Sequence, residues 1–199
     1  MVTDWVGWHN GYADPGSSLS RRRAVVQREL RTALDGLDGL IRLISMCAGD
    51  GGDVLPVLRS HPAGPRTGAL LVELNPELAR RAGTTPRDAG LTDSYLAHGR
   101  AHVLLACGVF GNMTLEDARR TIAAIPGLSE QGATVIWTRA TDESHQIRAL
   151  FDENEHGFRE LCFTEPADAP FRVGVHRVTA IAPPPAAGTR LFRFRAEKS

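Results

Sequence analysis

Four apolar, β-branched runs alternate with helical patterns, and that alternation constrains the fold more than anything else in the chain. "LIRLISMC" (40–47), "GALLVEL" (68–74), "AHVLLACGVF" (101–110) and "GATVIWTRA" (132–140) are dense enough in Leu, Ile and Val to be strands buried on both faces. Helical patterns lie around them. "SSLSRRRAVVQRELRTALDGL" (17–37) puts Leu19, Val26, Leu30 and Leu34 on one face, with Ser17 or Ser18 as N-cap. "DVLPVLRSH" (53–61) tolerates Pro56 in its first turn, and "NPELARRAG" (75–83) has Asn75 as cap, Pro76 at the first helical position and Gly83 as stop. "TLEDARRTIAAIPGL" (114–128) opens on a Thr-x-x-Asp variant of the capping box, and "SHQIRALFDENEHG" (144–157) is the last helix.

After residue 157 the rhythm changes. "FRELCFTEP" (158–166), "FRVGVHRVTA" (171–180) and "RLFRFRA" (190–196) read as strands with no helix between them, and "PPPAAG" (183–188) as a loop. The fold class is α/β: a Rossmann-like three-layer sandwich whose mostly parallel sheet ends in an antiparallel hairpin at its C-terminal edge. A third strand is due near "TTPRDAG" (84–90), but that stretch is short and polar enough for only a stub. At 199 residues the chain is one domain, with residues 1–40 as an N-terminal lid segment and helix and residues 41–199 as the core.

Zero net charge gives no global field for nucleic acid or an anionic membrane. Cys47, Cys107 and Cys162 are odd in number, far apart and in apolar surroundings, which fits buried free thiols and neither a disulfide nor a metal site. No signal peptide and no stretch long enough to cross a bilayer is found, so a cytoplasmic location is expected. The basic residues are nearly all Arg, which together with abundant Ala, Gly and Pro suggests a GC-rich bacterial genome.

In a sheet of this kind ligands bind at the carboxyl ends of the strands. The first strand leads directly into "CAGDGGD" (47–53), whose glycines let the backbone approach a ligand closely. A triphosphate loop would need Gly-Lys-Ser/Thr, and there is no lysine here. A dinucleotide would want G-x-G-x-x-G; Gly49 and Gly51 supply two glycines, but Val54 stands at the third position, and Asp50 and Asp53 would repel a pyrophosphate. A ligand with positive charge and no phosphate, S-adenosylmethionine, suits those acids. Glu73 ends the second strand, where an acid can accept both ribose hydroxyls, a signal shared with NAD enzymes. Asp88 and Ala89 follow the expected third strand, where an acid beside a small residue can take the adenine amino group, and Cys107, Gly108, Phe110 and Asn112 follow the fourth.

These segments resemble the class I S-adenosylmethionine-dependent methyltransferases. "WHNGYADPGSSLSRRRAVVQ", "SMCAGDGGDVLPVL", "LVELNP", "DAGLTDSY", "CGVFGN" and "VIWTRA" together are similar to a small actinobacterial methyltransferase-like family, over nearly the whole chain. The resemblance implies a seven-stranded sheet of order 3-2-1-4-5-7-6 with the seventh strand antiparallel. It also implies S-adenosyl-L-methionine as cofactor and S-adenosyl-L-homocysteine as product. The chain departs from the class in having Cys47 where an acid usually ends the first strand and Asp53 at the third glycine of D-x-G-x-G-x-G. Contact with the methionine ammonium then falls to backbone around Cys47, Ala48 and Gly49, or to Asp50 or Asp53. Leu74 and Asn75, beside Glu73, complete the expected cofactor set.

Methyl transfer needs alignment of nucleophile, methyl and sulfur, and a base where the nucleophile carries a proton. Candidate bases are His9 and Tyr12 in the N-terminal segment and His145 and Asp142 after the strand "GATVIWTRA". His145 reads equally well as a solvated first-turn residue. Trp8, Phe110, Asn112, Trp137 and Arg139 are candidate acceptor contacts, although Trp5 and Trp8 could simply pin the N-terminus to the domain. Arg21, Arg22 and Arg23 read first as a solvated helix face, with one of them able to reach a carboxylate of substrate or donor. Neither the Asp/Asn-Pro-Pro-aromatic motif of adenine methylation nor a Pro-Cys of cytosine methylation is present, so a small-molecule acceptor, such as a secondary metabolite, is expected. An NAD-dependent oxidoreductase and a non-catalytic S-adenosylmethionine-binding protein are the alternatives. The sequence does not choose between monomer and homodimer.

Overall fold

The computed structural model describes residues 7, 10–140, 144–153 and 157–195. A long helix α1 (Ser18–Asp35) precedes strand β1 (Ile41–Met46) and a short helix α2 (Leu55–Ser60). Strand β2 (Thr67–Val72), helix α3 (Pro76–Arg81), the single turn α4 (Asp93–Leu96) and strand β3 (Ala101–Ala106) follow. Helix α5 (Leu115–Leu128), strand β4 (Ser129–Arg139), helix α6 (Ser144–Glu153), and strands β5 (Phe158–Thr164) and β6 (Arg172–Val178) complete the order.

The caps form where the sequence places them. The Ser17 side chain accepts from the Ser20 amide, Asn75 from the amides of Glu77 and Leu78, and Thr114 from that of Asp117. Each satisfies a donor that the first helical turn leaves without an intrahelical partner.

The sheet has six strands in the order β2-β1-β3-β4-β6-β5. β1 to β4 are mutually parallel, and β6 runs antiparallel between β4 and β5. The hairpin is therefore made by "FRELCFT" and "RVGVHRV", and the antiparallel strand is the last one, as the resemblance implied. Side chains alternate across the sheet. Leu43, Val103, Leu105 and Ile136 join Val26, Leu30 and Leu34 of α1 on one face. Ile44, Leu104, Val135 and Trp137 join Ile122 and Ile125 of α5 and Phe151 of α6 on the other. The period of two is why strands covered on both faces read as continuous apolar runs.

Two expectations are corrected. No seventh strand forms among the described residues: Pro86 in "TTPRDAG" lacks an amide donor, and no apolar run lies there to bury. "RLFRFRA" is not a third strand of the terminal hairpin either. It crosses to the other end of the sheet, where Leu191 N donates to the Gly90 carbonyl (2.8 Å) and Thr92 N to the Thr189 carbonyl (3.1 Å). A single antiparallel bridge, Leu91 to Arg190, stands where the third strand was expected. The chain end then reaches the loop after β3, with Arg195 N on the Asn112 carbonyl at 2.7 Å.

Trp137 is fully buried and faces Gly174 across the β4–β6 pair. A Cβ added at Gly174 would overlap the indole, which Phe151 stacks at 5.6 Å and Phe163 flanks at 6.0 Å. Gly174→Ala is therefore expected to lower the unfolding free energy by about 1–3 kcal/mol, because a packed ring has nowhere to move. A urea midpoint equal to wild type would contradict this. Among the described residues no helix is long and apolar enough to cross a membrane.

Candidate functional site

The carboxyl ends of β1 to β4 open into a cavity of about 830 Å³, within the size range of small-molecule and cofactor pockets. Its floor is the turn after β1. Cys47 (φ 51°), Gly49 (59°) and Gly51 (76°) all adopt left-handed backbone there, which costs a non-glycine residue such as Cys47 some strain. Most of the turn's amides are tied inward. Ala48 N donates to the Val72 carbonyl, Gly51 N to that of Ala48, and both Val54 N and Leu55 N to that of Gly51. Gly52 N donates to Asp50 Oδ1 at 3.0 Å.

Glu73, just past β2, joins this turn to the next loop. Its Oε2 accepts from Gly49 N at 2.9 Å and its Oε1 from Asn75 N at 2.8 Å. Each carboxylate oxygen keeps a second acceptor position.

The acids of the turn are not a bare negative surface, and this corrects the charge argument made from sequence. Arg23 of α1 pairs with Asp50 at 3.4 Å and with Asp53 at 3.6 Å. The reason α1 delivers an arginine here is its register. Arg22 is buried in line with Val26, Leu30 and Leu34, four residues apart, so the apolar stripe ends in guanidiniums over the cavity. Arg22 Nη2 donates to the Tyr12 hydroxyl, and Arg23 lies over the Tyr12 ring, 3.5 Å from its centroid. The inward-tied amides now argue against a pyrophosphate: a phosphate cradle needs free N–H groups, and this turn has already paired most of its own.

Of the expected cofactor residues, Cys47, Ala48, Gly49, Asp50, Asp53, Glu73, Leu74, Asn75, Asp88, Ala89, Cys107 and Gly108 all line the cavity. Gly51 does not; a side chain there would meet Leu55 and Leu71 instead. Asp88 Oδ2 is bound by Arg190 Nη1 at 2.6 Å, and its Oδ1 accepts from Gly90 N at 2.8 Å. Burial pushes the thiols of Cys47 and Cys107 well up, helped by Glu73 in the first case and Asp53 in the second. Both stay protonated and unreactive at neutral pH.

Of the expected acceptor contacts, Asn112 and Arg139 line the cavity. Asn112 donates to the Gly108 carbonyl at 3.0 Å. Phe110 and Trp137 do not reach it. Strand alternation turns Trp137 into the opposite core, with Phe110 edge-on at 6.3 Å, and brings Thr138 to the cavity in its place, where its Oγ1 accepts from Gly108 N at 2.9 Å. His145 is likewise outside the lining. Its side chain is 63% exposed and lies 3.5 Å from Glu165, so the solvated reading describes it. Tyr12 lines the cavity, and burial pushes its phenol up to about 12 against the pull of Arg22. It is protonated at neutral pH, with its oxygen accepting from Arg22. His9, Trp8, Trp5 and Asp142 lie outside the described residues.

Residues not anticipated from sequence also line the cavity: Arg190, Phe192, Arg193 and Phe194, on the returning chain end. Phe192 and Phe194 stack on each other at 5.4 Å.

No family model matches the chain, and no curated protein matches it. Solved structures do. The magnesium protoporphyrin IX methyltransferase ChlM of Synechocystis PCC 6803, crystallised with SAM, aligns with a TM-score of 0.63 at 16% identity, over 89% of this chain and 92% of that one. The N-methyltransferase NodS of Bradyrhizobium japonicum WM9 aligns at 0.56 and 14% identity, over 81% and 97%. A precorrin-6y C5,15-methyltransferase of Geobacter metallireducens GS-15 aligns at 0.54 and 10% identity, over 79% and 88%. The chain thus has the fold of these methyltransferases.

Proposed function

We propose that this protein is an S-adenosylmethionine-dependent methyltransferase that acts on a small organic acceptor in the cytoplasm. The observation that carries the reading is Glu73, held at the end of β2 with one oxygen on the glycine turn, each oxygen able to accept a further bond, at the wall of an 830 Å³ cavity. The fold shared with methyltransferases and the inward-tied amides of the turn support it against an NAD-dependent oxidoreductase.

The residues fit the donor. Glu73 would take the ribose hydroxyls. Asp88 and Ala89 would border the adenine, with Leu74 and Phe192 as apolar neighbours, and the backbone of Cys47 to Asp50 would meet the methionine portion. When bound, the donor supplies a methyl carbon activated by its sulfonium. The protein's part is alignment and exclusion of water. The aromatic chain end and Tyr12, clamped between Arg22 and Arg23, wall the cavity, while Asn112, Thr138 and Arg139 border the end where an acceptor would lie.

Calorimetric titration with S-adenosylhomocysteine and, separately, with NAD(H) tests the reading. Micromolar binding of the first and none of the second is expected. The reverse result would transfer the site to a dehydrogenase.

A further inference from the structure

Arg190 lies 102 positions along the chain from Asp88, yet its Nη1 donates to Asp88 Oδ2 at 2.6 Å, and both residues line the cavity. The returning backbone is seated on either side of Arg190. Gly188 N donates to Asp93 Oδ2 at 2.9 Å, Thr189 N to Thr92 Oγ1 at 3.1 Å and Leu191 N to the Gly90 carbonyl at 2.8 Å. Asp88 is fixed as well, with its Oδ1 on Gly90 N at 2.8 Å. Gly90 is what permits the approach. A Cβ there would lie 3.0 Å from Arg190 Nη1 and would overlap the Phe192 carbonyl.

Stability alone gives the pair little purpose. Its side chains are 35% and 33% exposed, and an ion pair so open to solvent adds little, while the backbone bonds already hold the segment. What the pair does supply is a fixed acceptor beside a fixed donor. Asp88 accepts one bond on each oxygen, and each oxygen has a second acceptor position; Arg190 gives Asp88 one N–H of a guanidinium that carries several. An acceptor and a donor side by side read a heteroaromatic edge at two points. Adenine presents the reciprocal edge, with an amino group that donates next to a ring nitrogen, N1, that accepts. Hypoxanthine and guanine reverse both, with a carbonyl next to an N–H. A site built for one pattern rejects the other, because its own polar groups are then left without partners.

Resting on the methyltransferase reading, we propose that Arg190 is a base-specificity residue of the donor site: it donates to adenine N1 while Asp88 accepts from the adenine amino group. The acid alone would tell an amino group from a carbonyl. The arginine adds a second point of recognition, and it is brought to the first by the segment that returns across the strand ends instead of joining the terminal hairpin. Arg190 also keeps the Asp88 carboxylate turned to one orientation, so the two points act as a unit.

The test is calorimetry with three ligands: S-adenosylhomocysteine, its 1-deaza analogue, in which a C–H replaces N1, and S-inosylhomocysteine, in which a carbonyl replaces the amino group. The wild-type protein should bind the first at least about tenfold more tightly than either of the others. Arg190→Ala should weaken S-adenosylhomocysteine by about tenfold or more and the 1-deaza analogue far less, since the lost bond has no acceptor there. Arg190→Lys, which keeps a donor on a flexible stem, should lose less than Arg190→Ala and again lose it on S-adenosylhomocysteine. The wild-type series and Arg190→Lys carry the test where Arg190→Ala folds poorly. Equal losses on the two ligands would reduce Arg190 to a support for Asp88 and overturn the proposal. So would an indifferent Arg190→Ala, a 1-deaza analogue bound as tightly as the parent by the wild type, or S-inosylhomocysteine bound as tightly as S-adenosylhomocysteine. The wild-type titration with S-adenosylhomocysteine separates the two failures. No binding there overturns the methyltransferase reading and this inference with it, whereas binding without these selectivities overturns the inference alone.

Discussion

Glu73→Ala is expected to weaken S-adenosylhomocysteine binding at least about tenfold, since a hydrogen bond to a charged group in a partly dry site is worth roughly 1.5–3 kcal/mol. The structure adds a second expected effect. Glu73 also accepts the amides of Gly49 and Asn75, so its removal leaves two backbone donors without their acceptor. The free protein should therefore melt several degrees lower, at roughly 2–4 °C per kcal/mol for a chain of this size. Glu73→Gln separates the two roles in part. It keeps one acceptor oxygen but turns an amino group toward either the Gly49 or the Asn75 amide, so binding should still fall while less stability is lost. Calorimetry on both variants, alongside melting with and without ligand, reads the two effects independently. A variant that melts low yet binds at wild-type affinity would make Glu73 a purely structural link between the loops and place the ligand elsewhere.

That Glu73 could be singled out from sequence, while its bond to Gly49 could not, shows where the reading stopped. Local signals survived. The apolar runs became β1 to β4, Asn75 and Pro76 opened α3, and the acid stood past β2 because strand end and ligand position are both properties of a short stretch. What failed depended on distant residues. Arg23 pairs with Asp50 and Asp53 from 27 and 30 positions away, and only the alignment of Arg22 with Val26, Leu30 and Leu34 hinted that the arginines end a buried stripe. Residues 190–195 read as a strand by composition, but the edge they pair with is the polar segment that failed to become one. Trp137 follows from period-two alternation counted from Val135, which turns it into the core, away from the cavity. Its place within "VIWTRA" suggested a contact that alternation forbids.

The same indole fixes the protonation of His176, and from this an acid instability is expected. His176 has a side chain only 1% exposed, and its Nδ1 accepts from Trp137 Nε1 at 3.2 Å. Its other nitrogen faces Glu160 at 3.9 Å, too far for a hydrogen bond, and that carboxylate is already gripped by Arg148 through two bonds of 2.7 Å. Protonation would set an N–H of the ring against the indole N–H and bury a charge among Phe151, Phe158 and Trp137. Burial, partly offset by Glu160, accordingly holds the His176 imidazole down at about 4 against an ordinary 6.5. A folded-state value depressed below the unfolded one means stability that is fully present above pH 6.5 and lost as pH falls toward 4. The full span corresponds to roughly 3 kcal/mol, of which about 2 kcal/mol should be gone by pH 5. His176→Gln, which can still accept from the indole, should lose that part of the slope. Urea unfolding at pH 8, 6.5 and 5 on both proteins measures the difference, since the remaining titrating groups are common to the two. Parallel stability profiles would mean that His176 titrates alike folded and unfolded, and that the ring is not locked beneath Trp137.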